Sequence, residues 1–422
     1  MTLGTSGRFP IRAFSAWRGR SSPSIHNNWR RSCLLIAVSV ACGWIAWSGN
    51  VLALPVAALF PALWAMSPSR LTAVLVSAGY FLAASRGLPQ GVANFYAADL
   101  WPGLLLWTAA SLSFAGVHAV LWKARPEGQP SGKGRPGMAR AARYLAAAML
   151  LGLPPLGITG WAHPLTAMGV LFPGWGWWGL GAMTAGLAMM TSRYWPAAAI
   201  VLGGFWFWST ATWTSPNLPE GWKGVDLEQG ESLGRDSTLD YHRELIATVL
   251  AAASVKTRFI VLPESALGFW TPTVARLWQQ GLRGSELTVI TGAAVLDASG
   301  YDNVMVAISA GGDRVLYRER MPVPVSMWQP WRTWAGRDGG ARARLFDNPA
   351  VEIDGNRIAP LICYEQLILW PVLQSMLNSP DVIVATGNGW WTAGTSIVAI
   401  QKASVIAWAN LFGLPVVTAF NI

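Results

Sequence analysis

The first half of the chain is a succession of apolar segments, each about as long as a membrane-spanning helix. A helix needs roughly 20 apolar residues to cross a bilayer, and about 17 suffice when the helix tilts or the bilayer thins. The runs that meet this length lie at 32–48, 51–67, 70–85, 100–122, 143–161, 168–191 and 194–213. We therefore predict a membrane domain of about seven spans over 32–213, preceded by a basic tail over 1–31.

Two details of this membrane domain stay open at the level of sequence. The runs 32–48 and 51–67 are short and closely spaced, so they could form a re-entrant hairpin instead of two spans. The pair Arg30 and Arg31 also matches a twin-arginine export signal. Because further apolar runs follow, a topogenic anchor explains the arginine pair more simply than an export signal does.

The charges divide the chain into two unlike halves. Only 12% of the 422 residues are charged, against about 25% in soluble proteins, which excludes a purely cytosolic enzyme and a disordered protein. Residues 1–219 hold 15 Lys and Arg but only two acids, whereas residues 220–422 hold 16 Lys and Arg and 19 acids. The net charge of +10 therefore comes from the first half alone.

The positions of the cations predict how the chain crosses the membrane. The tail before residue 32 and the loop after the fourth run are rich in Lys and Arg, so both should be cytoplasmic. With seven crossings in all, residues 214–422 should lie outside the inner membrane, in the periplasm. Because the cations lie in the predicted cytoplasmic tail and loop, where they set the membrane topology, no basic surface remains for nucleic acid. We therefore expect no direct contact with DNA.

From about residue 214 the pattern changes to a layered α/β domain, which occupies the rest of the chain. Strands are predicted at 259–262, 287–291, 304–308, 358–362, 382–385 and 416–418. Helices are predicted at 239–253, 272–281, 366–377 and 397–411. Strands that alternate with helices are typical of a sheet covered by helical layers. Nothing in the pattern calls for a cofactor or a metal ion.

Two residues of this domain are candidates for chemistry. Cys363 follows a predicted strand and precedes a helix, where helix N–H groups would lower the pKa of an accessible thiol and favour a nucleophile. The alternative is a buried cysteine that acts as a small hydrophobic side chain. Glu264 ends another strand, in Leu262-Pro-Glu-Ser265, and could face the same site. Alone, it could equally cap a helix or form an ion pair.

Together these motifs resemble those of the carbon–nitrogen hydrolase, or nitrilase, superfamily. The resemblance rests on the strand-Pro-Glu-Ser motif, the segment Tyr317-x-x-x-x-x-Val-Pro324 and the motif Ile-Cys-Tyr-Glu365. With apolar spans ahead of it, the domain looks like the membrane-embedded apolipoprotein N-acyltransferases. In length and architecture the chain is most similar to the TraB family of conjugal-transfer proteins of rhizobial and Agrobacterium-type plasmids. The resemblance implies an α-β-β-α sandwich over 214–422.

The resemblance also implies roles for individual residues. In that superfamily a Glu is the general base and a Cys the nucleophile, and Glu264 and Cys363 match them. Tyr364 and Glu365 match residues that the acyltransferases use beside the nucleophile. The lysine that stabilises the oxyanion in the family is replaced here by Glu319, and a second acidic residue of the family by Met327.

Loss of that lysine bears directly on catalysis. Removal of one oxyanion donor costs about 3–4 kcal/mol of transition-state stabilisation. A neighbouring arginine, Arg320 or Arg318, could supply the missing charge, and Arg320 completes the candidate set. The chain stops at Ile422, before the final span of the acyltransferases, so we expect that span to be absent.

These observations favour a membrane protein that assists conjugal plasmid transfer on an acyltransferase-like scaffold. The alternative is an active acyltransferase or amidase that uses Cys363 on a lipid or amide substrate. Its partners would be membrane lipid, a phospholipid acyl donor, and a lipoprotein or a component of the conjugation machinery. A transporter is poorly supported, because the spans contain almost no ionisable residue.

Overall fold

The computed structural model describes residues 23–124, 135–159, 161–230, 238–298, 300–337 and 340–422. Most of the predicted basic tail and part of the loop after the fourth apolar run lie outside these residues. The first half is helical, with nine α-helices joined by short 3-10 helices within the described ranges. Their bounds are α1 Pro23–Ala46, α2 Phe60–Met66, α3 Arg70–Ala84, α4 Leu88–Tyr96, α5 Leu100–Leu121, α6 Arg135–Gly152, α7 Met168–Leu171, α8 Gly176–Met190 and α9 Trp195–Ala211.

Fewer helices than predicted have the length and composition of a membrane span. Among the described residues, Trp29–Ala46 and Leu100–Leu121 meet both requirements, and α3 with α4 would add a third span across a 49° bend. The prediction of seven spans is therefore not confirmed. Proline explains much of the difference, because it removes a backbone donor and breaks helices. The run 51–67 divides into a 3-10 helix around Pro55 followed by α2.

The second half contains two sheets. The first sheet has the order β1-β2-β3-β4-β5, with β1, β2 and β3 parallel and β3, β4 and β5 antiparallel. The second has the order β6-β7-β8-β9, with β7, β8 and β9 parallel. Their bounds are β1 Trp222–Gly224, β2 Phe259–Val261, β3 Thr288–Asp297, β4 Gly300–Ser309, β5 Gly312–Arg318, β6 Val351–Ile353, β7 Asn356–Ile362, β8 Val382–Asn388 and β9 Val416–Asn421.

The two sheets pack face to face and form the predicted α-β-β-α sandwich. One buried cluster joins the facing sides, with Val261 and Met305 from the first sheet and Ile362 and Val384 from the second. The outer side of the first sheet is covered by helices α10 (Leu239–Ala252) and α11 (Pro272–Gly281). Every strand and helix predicted in this half is present, although several strands are longer than predicted.

The outer side of the second sheet connects the sandwich to the apolar helices. Helices α13 (Leu369–Met376) and α14 (Ile397–Phe412) cover this sheet, and α14 also contacts α7 and the 3-10 helix Val51–Leu59. A short helix, α12 (Pro330–Trp334), lies in the long connection between β5 and β6. The sandwich thus rests on the apolar half through α14, and one continuous buried cluster spans the junction.

Candidate active site

Cys363 lies at the point where β7 ends. It is the first residue of the 3-10 helix Cys363–Leu367, and its backbone is left-handed, with φ of 45°. A non-glycine residue in this conformation is strained, and such strain is common where a turn aims a side chain at a site. The thiol is 4% exposed, and the Gln401 side-chain amide lies 3.6 Å from its Sγ.

Glu264 reaches the same place from the first sheet. It follows β2 and is buried. The loop that carries it lies flat against β3, where a Cβ on Gly292 would come within 2.5 Å of the Glu264 Cα. Backbone hydrogen bonds from Gly292 N to Pro263 O and from Leu267 N to Gly292 O fix this contact. Glycine is therefore required at position 292 for the carboxyl to reach the site.

Asn303 of β4 connects two buried carboxyl groups. Its Nδ2 donates to Glu264 Oε1 at 2.8 Å and to Glu319 Oε2, also at 2.8 Å. Glu319 follows β5 and is 1% exposed. Glu319, which matches the position of the family lysine, is thus a buried acid. The side-chain amide of Asn303 links it to Glu264, the proposed base.

Burial raises the pKa of both carboxyl groups. The pKa of Glu264 rises to about 7, mainly because of burial, while contacts with Asn303 and Cys363 oppose the rise and the charge of Glu365 adds to it. The pKa of Glu319 rises well above its ordinary value through burial and the nearby charges of Glu264 and Glu365. Among the described residues, neither carboxyl forms a salt bridge with a cation.

The carboxylate of Glu365 has a structural role, because it accepts hydrogen bonds from two separate segments. Its Oε1 accepts hydrogen bonds from the Tyr317 hydroxyl and the Arg320 N–H, both at 2.7 Å, and its Oε2 accepts from the Ile362 N–H at 2.8 Å. Burial raises the pKa of Glu365, and Arg320 and these donors oppose the rise. The carboxylate therefore connects the segment after β5 to the end of β7. These two segments carry Glu319 and Cys363, so the connection fixes their relative positions.

Arg320 is not among the residues that line the cavity beside Cys363, so its expected role at an oxyanion does not fit its position. The guanidinium is fully buried and donates to Tyr317 Oη, Pro371 O and Ser375 Oγ. It lies 3.8 Å from Glu365 Oε1. The other candidate, Arg318, forms an ion pair with the buried Asp302. Both arginines that follow Tyr317 thus bind groups that stabilise the fold.

Tyr364 also has a structural role. Its hydroxyl donates to Ile158 O at 3.1 Å, which links the sandwich to the apolar half. It is not among the residues that line the cavity beside Cys363. Of the five residues predicted for the site, Glu264 and Cys363 line that cavity, whereas Glu365, Tyr364 and Arg320 support its walls.

The cavity lies between the sandwich and two of the apolar helices. It has an empty volume of about 1060 Å³, which includes its open mouth. Glu264, Asn303 and Cys363 form its polar floor, and no Lys, Arg or His lines it within the described ranges. Apolar residues of α4, α5 and the segment 323–327 form much of its wall: Leu88, Val92, Phe95, Leu106, Val323 and Met327.

Helix α4 is held in place by the segment after β8. Asn94 Nδ2 donates to Trp391 O at 3.0 Å and to Ala393 O at 3.1 Å. The ring of Phe95 stacks on that of Trp390 with centroids 5.7 Å apart. A Cβ on Gly91 would come within 2.5 Å of the Trp391 ring, so glycine permits this close approach. The apolar wall of the cavity is therefore fixed relative to Cys363.

The pKa of Cys363 changes in the opposite direction from the prediction. Burial raises it well above the ordinary value, and the charges of Glu264 and Glu319 raise it further. The predicted lowering required an effective helix N-terminus, but a five-residue 3-10 helix follows the thiol, and two carboxyl groups face it. Of the two alternatives that the sequence leaves open for this thiol, its burial agrees with the buried cysteine, whereas Cys33 is exposed.

Comparison with known proteins shows the family. The model of the carbon-nitrogen hydrolase family matches residues 82–410. The conjugal transfer protein TraB of Agrobacterium fabrum is 71% identical over 417 residues, which cover 99% of each chain. The chain belongs to the carbon-nitrogen hydrolase family and, within it, to the conjugal-transfer proteins TraB. A probable conjugal transfer protein TraB of Sinorhizobium fredii is 61% identical over 388 residues, 92% of this chain and 97% of that one.

Two solved structures match about half of this chain. An amidase of the nitrilase superfamily from Nesterenkonia has a TM-score of 0.36 at 10% identity, over 48% of this chain and 78% of its own. A carbon-nitrogen hydrolase from Helicobacter pylori has a TM-score of 0.33 at 14% identity, over 47% of this chain and 72% of its own.

Sequence reasoning missed several residues of the site. Asp302-Asn303 resembles a segment of the family, but the sequence predicts no role in the site for Asn303 or for Gln401, because their hydrogen bonds join elements far apart in the chain. Helix α4 lies between the predicted spans 70–85 and 100–122, in a stretch for which the sequence analysis predicts no helix, although Leu88, Val92 and Phe95 recur at helical spacing. That spacing was the available signal.

We predict that Glu264→Gln stabilises the protein at high pH. A raised pKa means that the folded state holds the proton more tightly, so stability falls as the pH rises from about 4.5 to about 7. Glutamine removes this penalty and should raise the free energy of unfolding by about 1–3 kcal/mol at pH 8, with little change at pH 4.5. Thermal unfolding at both pH values measures the difference. The exposed Glu352→Gln is the control, and an equal effect of Glu264→Gln at both pH values would contradict the prediction.

Proposed function

We propose that the protein is a membrane protein of conjugal plasmid transfer whose hydrolase-like domain binds an acyl chain beside Cys363. The observation that carries this proposal is the cavity itself, which has a polar floor from the sandwich and an apolar wall from α4 and α5. A chain from the bilayer could enter along these helices. Ligand sites of this kind combine a mainly apolar lining with a few fixed polar groups.

The place in conjugation is supported by the relatives. Two proteins that match nearly the whole chain at 71% and 61% identity are named for conjugal transfer. Since both alignments include the apolar half and the sandwich, we infer the same process for this protein. The proposed partners of the protein are membrane lipid and a component of the conjugation machinery.

The chemistry of the floor favours binding without turnover. An acyl-transfer reaction needs a thiolate and a donor for the oxyanion. Here the pKa of the thiol is raised, and no cation lines the cavity within the described ranges. Loss of one oxyanion donor costs about 3–4 kcal/mol, a rate factor of about a hundred to a thousand, and Arg320 is not placed to compensate.

A second candidate function is acyl transfer through Cys363. It is favoured by the position of Glu264, whose contact with the thiol and pKa of about 7 suit a general base. Glu264 would take the thiol proton, the thiolate would attack the acyl carbonyl of a phospholipid, and a thioester would form as the protonated alcohol leaves. An amine of a lipoprotein would then accept the acyl group.

The membrane arrangement is a proposal that the charge distribution supports. We propose an inner-membrane protein with a cytoplasmic N-terminus and a periplasmic 214–422 domain, because the cations cluster before residue 32 and after residue 122. Reporter fusions after Trp122 and after Glu220 should report opposite sides. If both report the same compartment, this arrangement is wrong.

Lipid retention tests the proposed binding. Val92 lines the cavity from α4, so Val92→Trp should fill part of it. We expect mass spectrometry of purified protein to find co-purified lipid on the wild type and at least several-fold less on Val92→Trp. The control is Val255→Trp, which adds the same side chain at a fully exposed position. Equal lipid on both variants would argue against the cavity as the binding site.

A further inference from the structure

Two carboxyl groups meet at Asn303 in the cavity floor, and within the described residues neither pairs with a cation. Glu264 and Glu319 both accept from the single amide group of Asn303, each at 2.8 Å. Their remaining oxygens, Glu264 Oε2 and Glu319 Oε1, are buried, and within the described residues neither has a hydrogen-bond partner of normal geometry, although the Glu264 carboxyl lies near the Cys363 thiol and the Asn388 backbone. Two charged carboxylates in such a position would repel each other at short range with little solvent to screen them.

The other charged groups nearby do not relieve this repulsion. Glu365 is itself acidic, and its carboxylate already receives the Tyr317 hydroxyl and three backbone N–H groups. Arg320 is directed to Glu365 and to the backbone of α13. Among the described residues that form the floor, Cys363 is the other titratable one, and its thiolate would add a further negative charge, while Tyr96 and Tyr301 also line the cavity.

We propose that Glu264 and Glu319 form a carboxyl pair that shares one proton, so that the floor of the cavity carries a single negative charge. Glu319 then acts as a positioning residue, a neutral partner that holds Asn303 and Glu264 in place. The replacement of the family lysine by glutamate thus removes a positive charge without adding a second negative one. This inference rests on the site of the proposed function, and it concerns the resting protein whether or not turnover occurs.

A shared proton has a consequence for the ligand. A floor with one negative charge and no cation disfavours an anionic head group and leaves the Cys363 thiol protonated. The cavity should therefore take an acyl chain that carries an ester or amide, and it should reject a free fatty-acid anion.

The labelling rate of Cys363 tests the shared proton. The experiment uses the full chain with Cys33→Ser and Cys42→Ala, a small neutral methanethiosulfonate reagent and about pH 8.5, where the rate is proportional to the thiolate fraction. Since glutamine is isosteric with a neutral acid, Glu319→Gln should label within twofold of the starting protein. The double variant Glu264→Gln/Glu319→Gln removes the one charge and should label about tenfold faster.

Other results would overturn the proposal. A tenfold acceleration in Glu319→Gln alone would mean that Glu319 carries a charge of its own. A double variant that labels at the starting rate would mean that the pair carries no charge. Failure of Glu319→Gln to accumulate also contradicts a neutral partner, and if the double variant fails to fold, Glu264→Asn/Glu319→Gln, which also removes the one charge, replaces it with the same expected acceleration. Lipid retention is measured separately, so failure of the acyl-binding proposal remains distinguishable.

Discussion

Replacement of Arg320 by methionine is expected to destabilise the protein by about 3–5 kcal/mol, a loss that would prevent most of the chain from accumulating. Arg320 is fully buried, and its guanidinium satisfies Pro371 O, Ser375 Oγ and the Tyr317 hydroxyl. Methionine fills a similar volume but leaves these acceptors without their donor and the Glu365 carboxylate without its buried ion-pair partner. The midpoint of thermal unfolding in detergent, together with the amount of folded protein, measures the loss.

Arg318→Met is the matched control, since it removes the same side chain two residues earlier. Arg318 pairs with Asp302, but Asp302 keeps Arg342 and Arg344 as partners. The side chain of Arg318 is also 35% exposed, so the expected cost is at most about 1 kcal/mol. Equal losses for the two variants would show that Arg320 is no more important to the fold than a surface cation.

Filling the cavity is expected to reduce plasmid transfer by at least tenfold. Val92→Trp places an indole on the wall of α4, opposite the floor at Glu264 and Cys363. Because the proposed ligand must enter along α4 and α5, the added ring should exclude it while the polar floor stays intact. The measurement is the transfer frequency of donor cells that express the variant at the wild-type level.

The control for this transfer experiment is again Val255→Trp, which should transfer like the wild type because its side chain is fully exposed. Tryptophan at position 92 must also leave the unfolding temperature close to that of the wild type. A folded Val92→Trp protein that supports normal transfer would contradict a role for the cavity in conjugation.

The fold of the second half could be predicted well from the sequence because its signals are local. Strands such as β7 and β8 are short apolar runs, and helices such as α11 and α14 begin and end close to the predicted residues. The motif residues Glu264 and Cys363 could also be identified, since each follows a buried strand. In the sandwich the two sheets bring those strand ends to one cavity.

The protonation of the site and the apolar half were predicted less well. The pKa of Cys363 depends on Glu264 and Glu319, which approach it from other elements and which no local pattern includes. The direction of Arg320 depends on acceptors in α13, about fifty residues further along the chain. In the apolar half, hydropathy marks the runs but does not show where proline divides them, as it does at Pro55.

Plasmid transfer by cells that express Cys363→Ser at the wild-type level tests most directly whether the site binds or turns over its ligand. Serine keeps the size and polarity of the cavity floor but lacks the nucleophilicity of a thiolate. If the cavity only binds an acyl chain, transfer should stay within about threefold of the wild type, because the change costs on the order of 1 kcal/mol of packing. Transfer at the level of a deletion strain, from a protein with an unchanged unfolding temperature, would contradict binding without turnover and establish acyl transfer through Cys363.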